Sequence, residues 1–327
     1  MKKFMKLAVV GMCLSLAITG LVANGQGEEE VAEDFAYPTK AITITCPYPA
    51  GGAADVICRQ ISTLGSEKGI FDKPVVVVNR TGAGGVIATT EFVSSKADSH
   101  KINLFSRAIF VTIPLKQQVK YSYAEDIEPV VGIENVDFIL YASSKRDDIN
   151  TLEKLMAYAD KNVVTYGTAG AGTDIDLIQS GMLKDAAVKA KPVVFGGAKV
   201  AVNNVLAGNV DIAAAPPAAA KDFVENGQLV PLGIFSAKPY EGFEGITVPT
   251  MKEQGVDIVY PGLNFFGVAK GTDPRVIEYL NAKINEVYAL PEFVDFVEKS
   301  GIDLLPLAPE EIDNYIAEQQ QVADRLR

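Results

Sequence analysis

Short apolar runs alternate with stretches of helical periodicity along most of the chain. The run PVVVVN at 74–79 is continuously apolar, which is typical of a strand covered on both faces. Shorter runs of the same kind recur at intervals that suit alternating strands and helices. The pattern predicts strands at 41–46, 74–79, 102–105, 127–133, 138–142, 163–167, 192–195, 210–214, 229–235 and 264–269.

Helical patterns follow most of these predicted strands. In the first of them, Ile57, Ile61 and Leu64 recur at the spacing of one helix face. Thr151 is a candidate N-cap, and Asp273 precedes a proline at the first position of another helix. The pattern predicts helices around 57–64, from 86, over 152–159, 175–189, 200–206 and 216–226, and after Pro274, Pro291 and Pro309.

Repeated strand–turn–helix units predict an α/β protein with parallel sheets and helices on both faces. Two such series, separated near the middle of the chain, predict two lobes rather than one. In open sheets of this kind, ligands bind beyond the carboxyl ends of the strands. Functional residues are therefore expected in the turns that follow the strands.

The first residues have the layout of a secretory signal peptide. Lys2, Lys3 and Lys6 precede an uncharged apolar run at 7–21, and Ala23-Asn24-Gly25 offers a cleavage site. The alternative is a membrane anchor, but the run is shorter than the roughly 20 residues that span a bilayer. We therefore predict a signal peptide at 1–25, a flexible acidic tail at 26–36, and an exported protein in the periplasm or another extracytoplasmic space.

Cys13 lies in the middle of the apolar run, after a bulky methionine, so a lipid anchor is not predicted. The other cysteines, Cys46 and Cys58, do not form a CxxC pair. Two buried thiols are the expected arrangement, and a single disulfide is the alternative that the oxidising compartment leaves open.

The chain carries 30 basic and 41 acidic residues, which gives a net charge of −11. Removing the three lysines of the predicted signal peptide leaves 27 minus 41, or −14. Such a surface repels the phosphates of nucleic acids and anionic lipids, so neither is an expected partner. A local site built from backbone dipoles can still bind an anion.

Three turns between a predicted strand and a helix are rich in small residues. They are PYPAGGAAD at 47–55, NRTGAGG at 79–85 and GTAGAGTD at 167–174. Small residues let the backbone approach a ligand, and the helix that follows points free N–H groups and its positive end at the turn. This arrangement predicts binding of a carboxylate or phosphate. Structural tight turns are the plainer alternative for any one of them.

The sequence offers little material for catalysis. No turn ends in the Gly-Lys-Ser/Thr of a P-loop, and the Gly82 turn has Ile87 where a dinucleotide site needs glycine. The single histidine, His100, lies in a polar segment, where an exposed side chain is expected, and no GxSxG motif is present. The sequence therefore predicts no enzyme activity, no catalytic residue, no metal and no cofactor.

Arg107 directly follows the predicted strand at 102–105, at its carboxyl end. It is either a bidentate partner for a ligand carboxylate or part of a salt bridge within the protein, and the sequence leaves both open. Tyr48 either stacks against a ligand or packs its own loop. Asp55 and Asp174 are expected to cap helices, because as anions they would repel an anionic ligand.

Several motifs together resemble one family. YPTKAITITCPYPAGGAAD followed by NRTGAGG is similar to the substrate-binding proteins of tripartite tricarboxylate transporters, the Bug family. TYGTAGAGT, VVFGGAK, LAGNVDIAAAPP and VPTMKEQG match the same family in order and spacing. The resemblance extends from about Tyr37 to Arg327.

The resemblance implies a two-lobed type II periplasmic-binding-protein fold, in which each lobe is a mainly parallel sheet flanked by helices and two crossover strands join the lobes. It places lobe one at 37–140 plus 262–327 and lobe two at 141–261. It implies a monomer that captures a small carboxylate between the lobes and delivers it to a large and a small membrane subunit. By position, it implies ligand contacts from Ala50, Gly51, Gly52, Ala53, Gly82, Ala83, Gly84, Thr168, Gly172 and Thr173, with Gly197 and Asp211 nearby.

This chain departs from the family pattern at three positions. Tyr48 and Thr81 replace the usual Phe and Pro, and Arg107 occupies a stretch that is normally small and polar. The change at Arg107 would favour a ligand with a second acidic group. The identity of the ligand stays open among citrate-like acids, dicarboxylates, amino acids and aromatic acids. A ligand-sensing subunit of a signalling receptor, or an enzyme on the same scaffold, are the alternative functions.

Overall fold

The computed structural model of the protein describes residues 35–300 and 302–327, and the side chain of Ala53 is outside that description. Residues 36–327 form one compact unit. The strands are β1 Ile42–Cys46, β2 Val75–Asn79, β3 Lys101–Ser106, β4 Ile127–Val136, β5 Ile139–Ser143, β6 Val164–Thr168, β7 Ala190–Val194, β8 Ile212–Ala215, β9 Leu229–Ile234, β10 Tyr240–Phe243, β11 Ile246–Val248, β12 Gly262–Ala269 and β13 Asp303–Leu304.

Most helices begin directly after a strand and a short turn. Thr151 and Asp273 cap their helices, as predicted, because each side chain accepts a hydrogen bond from a first-turn N–H. The helices are α1 Ala53–Glu67, α2 Val86–Ser94, α3 Arg107–Phe110, α4 Tyr123–Asp126, α5 Leu152–Ala159, α6 Asp174–Asp185, α7 Ala198–Leu206, α8 Pro217–Glu225, α9 Pro274–Tyr288, α10 Pro291–Ser300 and α11 Pro309–Leu326.

Two sheets organise the described residues. One has the strand order β13-β4-β12-β3-β1-β2, and the other has the order β7-β6-β8-β5-β9; β10 and β11 form a separate hairpin that the sequence analysis missed. The chain passes from the first sheet to the second between β4 and β5, and returns ahead of β12. The two-lobed α/β architecture with two connecting strands is therefore confirmed.

Each sheet is mixed, whereas a mainly parallel sheet was predicted. β1 pairs in parallel with β2 and β3, and β6 pairs in parallel with β7 and β8. β12 is antiparallel to both of its neighbours, and so is β5. β5 and β12 are the first strands after the chain passes from one sheet to the other, and each runs antiparallel to its neighbours. No local sequence pattern indicates this change of direction.

β2 is an edge strand rather than a strand covered on both faces. Val76 is 46% exposed and Val78 is 41% exposed, although Val75 is buried. The apolar run predicted the strand correctly but not its place in the sheet, because β-branched residues suit an exposed edge strand as well as a central one. α6 also ends earlier than predicted, at Asp185 rather than at Lys189.

Three apolar clusters form the core. One lies between the first sheet and the helices α1, α9 and α10, and another lies under α7 and α8. The largest cluster joins the two sheets, and it contains residues of β3, β12, α6 and α11. The two halves of the molecule therefore share a core on one side. The predicted signal peptide at 1–25 and most of the predicted tail at 26–36 lie outside the described residues.

Candidate ligand-binding cleft

A cavity of about 560 Å³ opens where the carboxyl ends of strands from the two sheets face each other. Turns after β1, β2 and β3 contribute to it from one sheet, and turns after β6 and β8 contribute from the other. The cavity is lined by Tyr48, Pro49, Gly52, Ala54, Gly84, Ser106, Ala108, Ile113, Glu134, Asn135, Val136, Asp137, Phe138, Ala169, Thr173, Asp174, Ile175, Pro216, Pro217, Ala218, Tyr240, Gly262, Asn264, Ser300, Ile302 and Asp303.

Helix N-termini surround this cavity. α1 begins after Gly52, α6 after Thr173 and α8 after Pro216, and all three of these cap residues line the wall. The first N–H groups of a helix have no partner within it, and the helix dipole makes that end positive. Three such ends around one cavity create a region that favours a carboxylate, although the protein as a whole is acidic.

The predicted glycine-rich turns all lie at this edge of the sheets. Tyr48, Gly52, Gly84 and Thr173 line the cavity directly. The other described residues of these turns flank the lining residues without lining the cavity, namely Ala50, Gly51, Gly82, Ala83, Thr168 and Gly172. Ala53, whose side chain is not described, lies in the chain between the lining residues Gly52 and Ala54. The backbone of the turns, rather than every residue in them, therefore forms the wall.

Gly84 and Gly172 show why two of these turns need glycine. Gly84 has φ +66° and Gly172 has φ +76°, a region that L-residues with side chains rarely adopt. A Cβ on Gly172 would also lie 2.8 Å from the Cβ of Lys116. The turn before α6 therefore packs closely against the segment that follows β3.

Arg107 lies behind the wall of the cavity. Its side chain is fully buried, its Nη2 is 2.9 Å from Oδ2 of Asp174, and its Cζ lies 3.9 Å from the centroid of the Tyr260 ring. Of the two arrangements that the sequence left open, the structure has the internal salt bridge. Asp174 accordingly does not cap its helix as expected; Thr173 is the N-cap instead.

Asp211 and Gly197 lie away from the cavity. Asp211 precedes β8 at the amino end of that strand, where it accepts hydrogen bonds from the N–H and hydroxyl of Thr165 and pairs with Arg146 at 2.8 Å. Gly197 precedes α7, next to the edge strand β7. Neither of these two positions carried over from the family pattern therefore lines the cavity.

An acidic corner of the cavity was missed by the sequence analysis. Glu134 and Asp137 lie at the end of β4 and just beyond it, Asn264 lies on β12, and Asp303 lies on β13. Glu134 and Asp137 are far in the sequence from Asn264 and Asp303, and none of the four belongs to a motif. Only the antiparallel pairing of β4 with both β12 and β13 brings them together, so no signal in the sequence could have identified them.

Tyr48 presents a phenol that stays protonated at neutral pH. Burial raises the pKa of Tyr48 to about 12, against a smaller opposing effect of a hydrogen bond with Ser106. A neutral phenol donates one hydrogen bond and accepts others. Tyr48 therefore faces the cavity as a polar group that carries no charge.

Asp55 holds the first turn of α1 in place behind the wall. Its carboxylate accepts hydrogen bonds from Nε of Arg59 at 2.9 Å, from the N–H of Gly51 at 2.8 Å and from Nδ2 of Asn79 at 2.7 Å. The hydrogen bond from Arg59 is the main cause that lowers the pKa of Asp55 to about 2, and burial opposes it. Asp55 thus joins the first two glycine-rich turns.

We expect Asp55→Asn to lower the free energy of unfolding at pH 7 by about 1 kcal/mol, because the half-exposed Arg59 is partly screened by solvent. A carboxyl whose pKa falls on folding stabilises the protein above its unfolded pKa. This contribution disappears as the pH falls through about 4 to about 2. Denaturant titrations at pH 7 and pH 3 should show the difference shrinking, with Asp160→Asn on an exposed position as the control. An equal difference at both pH values would contradict the assignment.

Cys46 and Cys58 are both buried free thiols in the structure. Within residues 35–300 and 302–327, no cluster of three or more His, Cys, Asp or Glu side chains is placed to hold a metal ion. His100 is buried rather than exposed as expected, since its Nε2 accepts a hydrogen bond from the N–H of Thr39 at 3.0 Å. Its role is to fix the chain ahead of β1.

Over the same residues, no helix is long and apolar enough to cross a bilayer. The two sheets, the shared core and the cleft between strand ends define a two-lobed binding protein. Residues 57–326 match the model of the tripartite tricarboxylate transporter family receptor, and the chain belongs to this family. The family is one of solute-binding receptors, so the resemblance noted in the sequence is confirmed.

Individual relatives support the same fold. A protein from Pseudomonas sp. strain P51, encoded between tcbD and tcbE, is 32% identical over 279 residues, which are 84% of this chain and 82% of the relative. The structure of the periplasmic binding protein BugD aligns with a TM-score of 0.71 at 24% identity, over 88% of this chain and 97% of BugD. MatC from Rhodopseudomonas palustris with bound malate aligns with a TM-score of 0.75 at 19% identity, over 89% of this chain and 100% of MatC.

Proposed function

We propose that the protein captures a small carboxylate-bearing solute in the cleft and delivers it to the membrane subunits of a tripartite tricarboxylate-type transporter. The observation that carries this proposal is the convergence of the α1, α6 and α8 N-termini on one cavity. Backbone N–H groups at helix ends bind anions without a cationic side chain. The malate bound to MatC is the kind of solute that such a site accepts.

The lining suggests how a ligand would be oriented. Helix N-termini and the hydroxyl group of Ser106 would hold its carboxylate. Ile113, Phe138 and Ile175 would pack against its carbon skeleton. A cavity that combines apolar walls with a few placed polar groups is typical of small-molecule sites.

Closure of two lobes around the ligand would link binding to recognition by the transporter. We place lobe one at 37–140 plus 262–327 and lobe two at 141–261, because the chain crosses between the sheets near these boundaries. A ligand that touches helix ends of both lobes favours the closed state. In this proposal the protein is an exported monomer of the periplasm, and the membrane subunits of the transporter recognise its closed conformation.

An exposed position on the rim offers a direct test. Ala218 lines the cavity and its side chain is exposed, so Ala218→Phe should fill part of the cavity at little cost to the fold. A thermal-shift screen over mono-, di- and tricarboxylates should identify ligands that raise the melting temperature of the wild type. We expect Ala218→Phe to weaken binding of these ligands at least about ten-fold, measured by calorimetry.

Val200→Phe is the matched control, because Val200 is 46% exposed on α7 and does not line the cavity. Equal ligand affinity in Ala218→Phe and the wild type would place binding elsewhere and defeat the proposal. Incubation of each bound ligand with the protein, followed by mass spectrometry, tests the enzyme alternative. Unchanged ligand is expected, since the family consists of receptors.

A further inference from the structure

Glu134 is a largely buried carboxylate with one oxygen that accepts no hydrogen bond from the described residues. Its side chain is only 9% exposed, and it lines the cavity. Nδ2 of Asn264 donates to Oε1 at 2.6 Å. Among the described residues, no other side-chain or backbone donor reaches this carboxylate. Because Glu134 lines the cavity, its second oxygen is available to accept a hydrogen bond from a ligand there.

A β-bulge directs Glu134 toward the cavity. In the pairing of β4 with β12, Asn264 lies opposite Glu134, but Phe265 lies opposite Gly132. Ile133 is therefore an extra residue on β4. Bulges turn the side chains of the bulged strand and are common beside binding sites. The position of Glu134 is thus built into the sheet rather than being a free rotamer.

Two more carboxylates extend this corner. Nδ2 of Asn135 donates to Oδ1 of Asp137 and to Oδ2 of Asp303, both at 2.9 Å. Asp137 and Asp303 also line the cavity. Among the described residues that line the cavity there is no lysine or arginine, and the remaining acid of this lining, Asp174, is paired with Arg107. A ligand with only negative groups would therefore meet uncompensated carboxylates at this end of the cavity.

Resting on the proposed function, we propose that this acidic corner binds a cationic amino group of the ligand, so that the ligand is a zwitterion. Its carboxylate lies at the helix N-termini, and its ammonium group lies between the free oxygen of Glu134 and the side chain of Asn264. An ammonium group has three N–H donors, and the second carboxylate oxygen of Glu134 and Oδ1 of Asn264 are acceptors without a donor among the described residues. Asn264 is 93% buried, and among the described residues its Oδ1 has no donor either.

The electrostatics of the corner agree with a cationic occupant. Burial raises the pKa of Glu134, Asp303 raises it further, and the hydrogen bond from Asn264 acts in the opposite direction. Burial likewise raises the pKa of Asp137. A cation in contact with these groups favours their ionised forms and removes the unfavourable burial of charge. A purely anionic ligand would do the reverse.

Pairs of probes that differ only by an amino group test this inference. Suitable pairs are L-leucine with 4-methylpentanoate, L-phenylalanine with 3-phenylpropanoate, and 5-aminopentanoate with pentanoate. Calorimetry at pH 7 on the wild type should show at least one amino acid binding about ten-fold or more tightly than its partner without the amino group. Glu134→Gln keeps the acceptor for Asn264 but removes the charge, and it should abolish this preference.

Glu128→Gln is the control, because Glu128 lies on the same strand and pairs with Lys270 at 3.1 Å, outside the cavity lining. It should leave the preference unchanged. Equal or tighter binding of the partners without the amino group, or a preference that survives Glu134→Gln, would overturn the inference. If simple carboxylates bind as tightly as the amino acids and Ala218→Phe weakens their binding, the proposed function stands and only the zwitterionic ligand is ruled out. If Ala218→Phe weakens the binding of no probe, the proposed function itself fails.

Discussion

Replacing Arg107 with alanine is expected to destabilise the protein by about 3 to 5 kcal/mol, the largest effect that we foresee for a single substitution. The guanidinium is fully buried against Asp174 and packs on the face of Tyr260. Its removal leaves the Asp174 carboxylate buried without its cation, and it also leaves a cavity under the aromatic ring. Thr112, which donates to the same carboxylate, cannot neutralise it.

Thermal and denaturant unfolding should show this loss, and a double-mutant cycle with Asp174→Asn isolates the pairing. Arg107→Met with Asp174→Asn should recover part of the stability, because the buried charge and the empty volume are both removed. The measurement also decides the role of Arg107. If Arg107→Ala kept its full stability and lost only ligand affinity, the side chain would belong to the binding site rather than to the support behind it.

Gly132→Ala is the second substitution with a large expected effect. A Cβ at this position would lie 2.2 Å from the carbonyl oxygen of Leu305 and 2.7 Å from the backbone nitrogen of Leu307. Backbone atoms cannot rotate away as the end of a side chain can. The segment 305–307 lies beside β4 at this point, and the N–H of Gly132 donates a hydrogen bond to the carbonyl of Leu307 at 2.9 Å, which fixes it there.

We expect Gly132→Ala to cost about 3 kcal/mol, at the upper end of the range for overpacking, because the backbone itself must shift. Denaturant unfolding measures this cost. Gly196→Ala is the control, since a Cβ on Gly196 meets nothing within 4 Å, and it should change stability by less than about 0.5 kcal/mol. If Gly132→Ala unfolded at the same denaturant concentration as the wild type, the backbone of residues 305–307 would not be packed rigidly against Gly132.

The elements that surround the cleft could be predicted from the sequence for a physical reason. A strand, a glycine-rich turn and a helix start are local features, and Gly52 and Thr173 sit at the helix starts where the turns predicted them. The carboxyl ends of parallel strands meet at one edge, so the location of the cavity follows from the order of elements. The local chemistry and the general topology were enough for this part.

The acidic corner and the buried Arg107 could not be predicted in this way. Glu134, Asn264 and Asp303 meet through antiparallel pairings with β4, and pairing over such separations has no local signal. Arg107 has the sequence context of a ligand contact, and only the packing of Asp174 and Tyr260 around it assigns it to the interior. The sequence therefore placed the glycine-rich turns at the edge where the cavity lies, but it did not indicate the charged side chains of the acidic corner.

The apolar cluster that joins the two sheets limits how this molecule can open. α11 lies against α6 across the junction, where a Cβ on Gly181 would come within 2.8 Å of Leu326. Residues of both sheets are buried together there, so separating them would expose a continuous hydrocarbon interior to water. In the proposed closure mechanism, we therefore expect this shared cluster to stay packed while the cleft widens. A solute would then enter the cavity without exposing the apolar core that joins the two sheets.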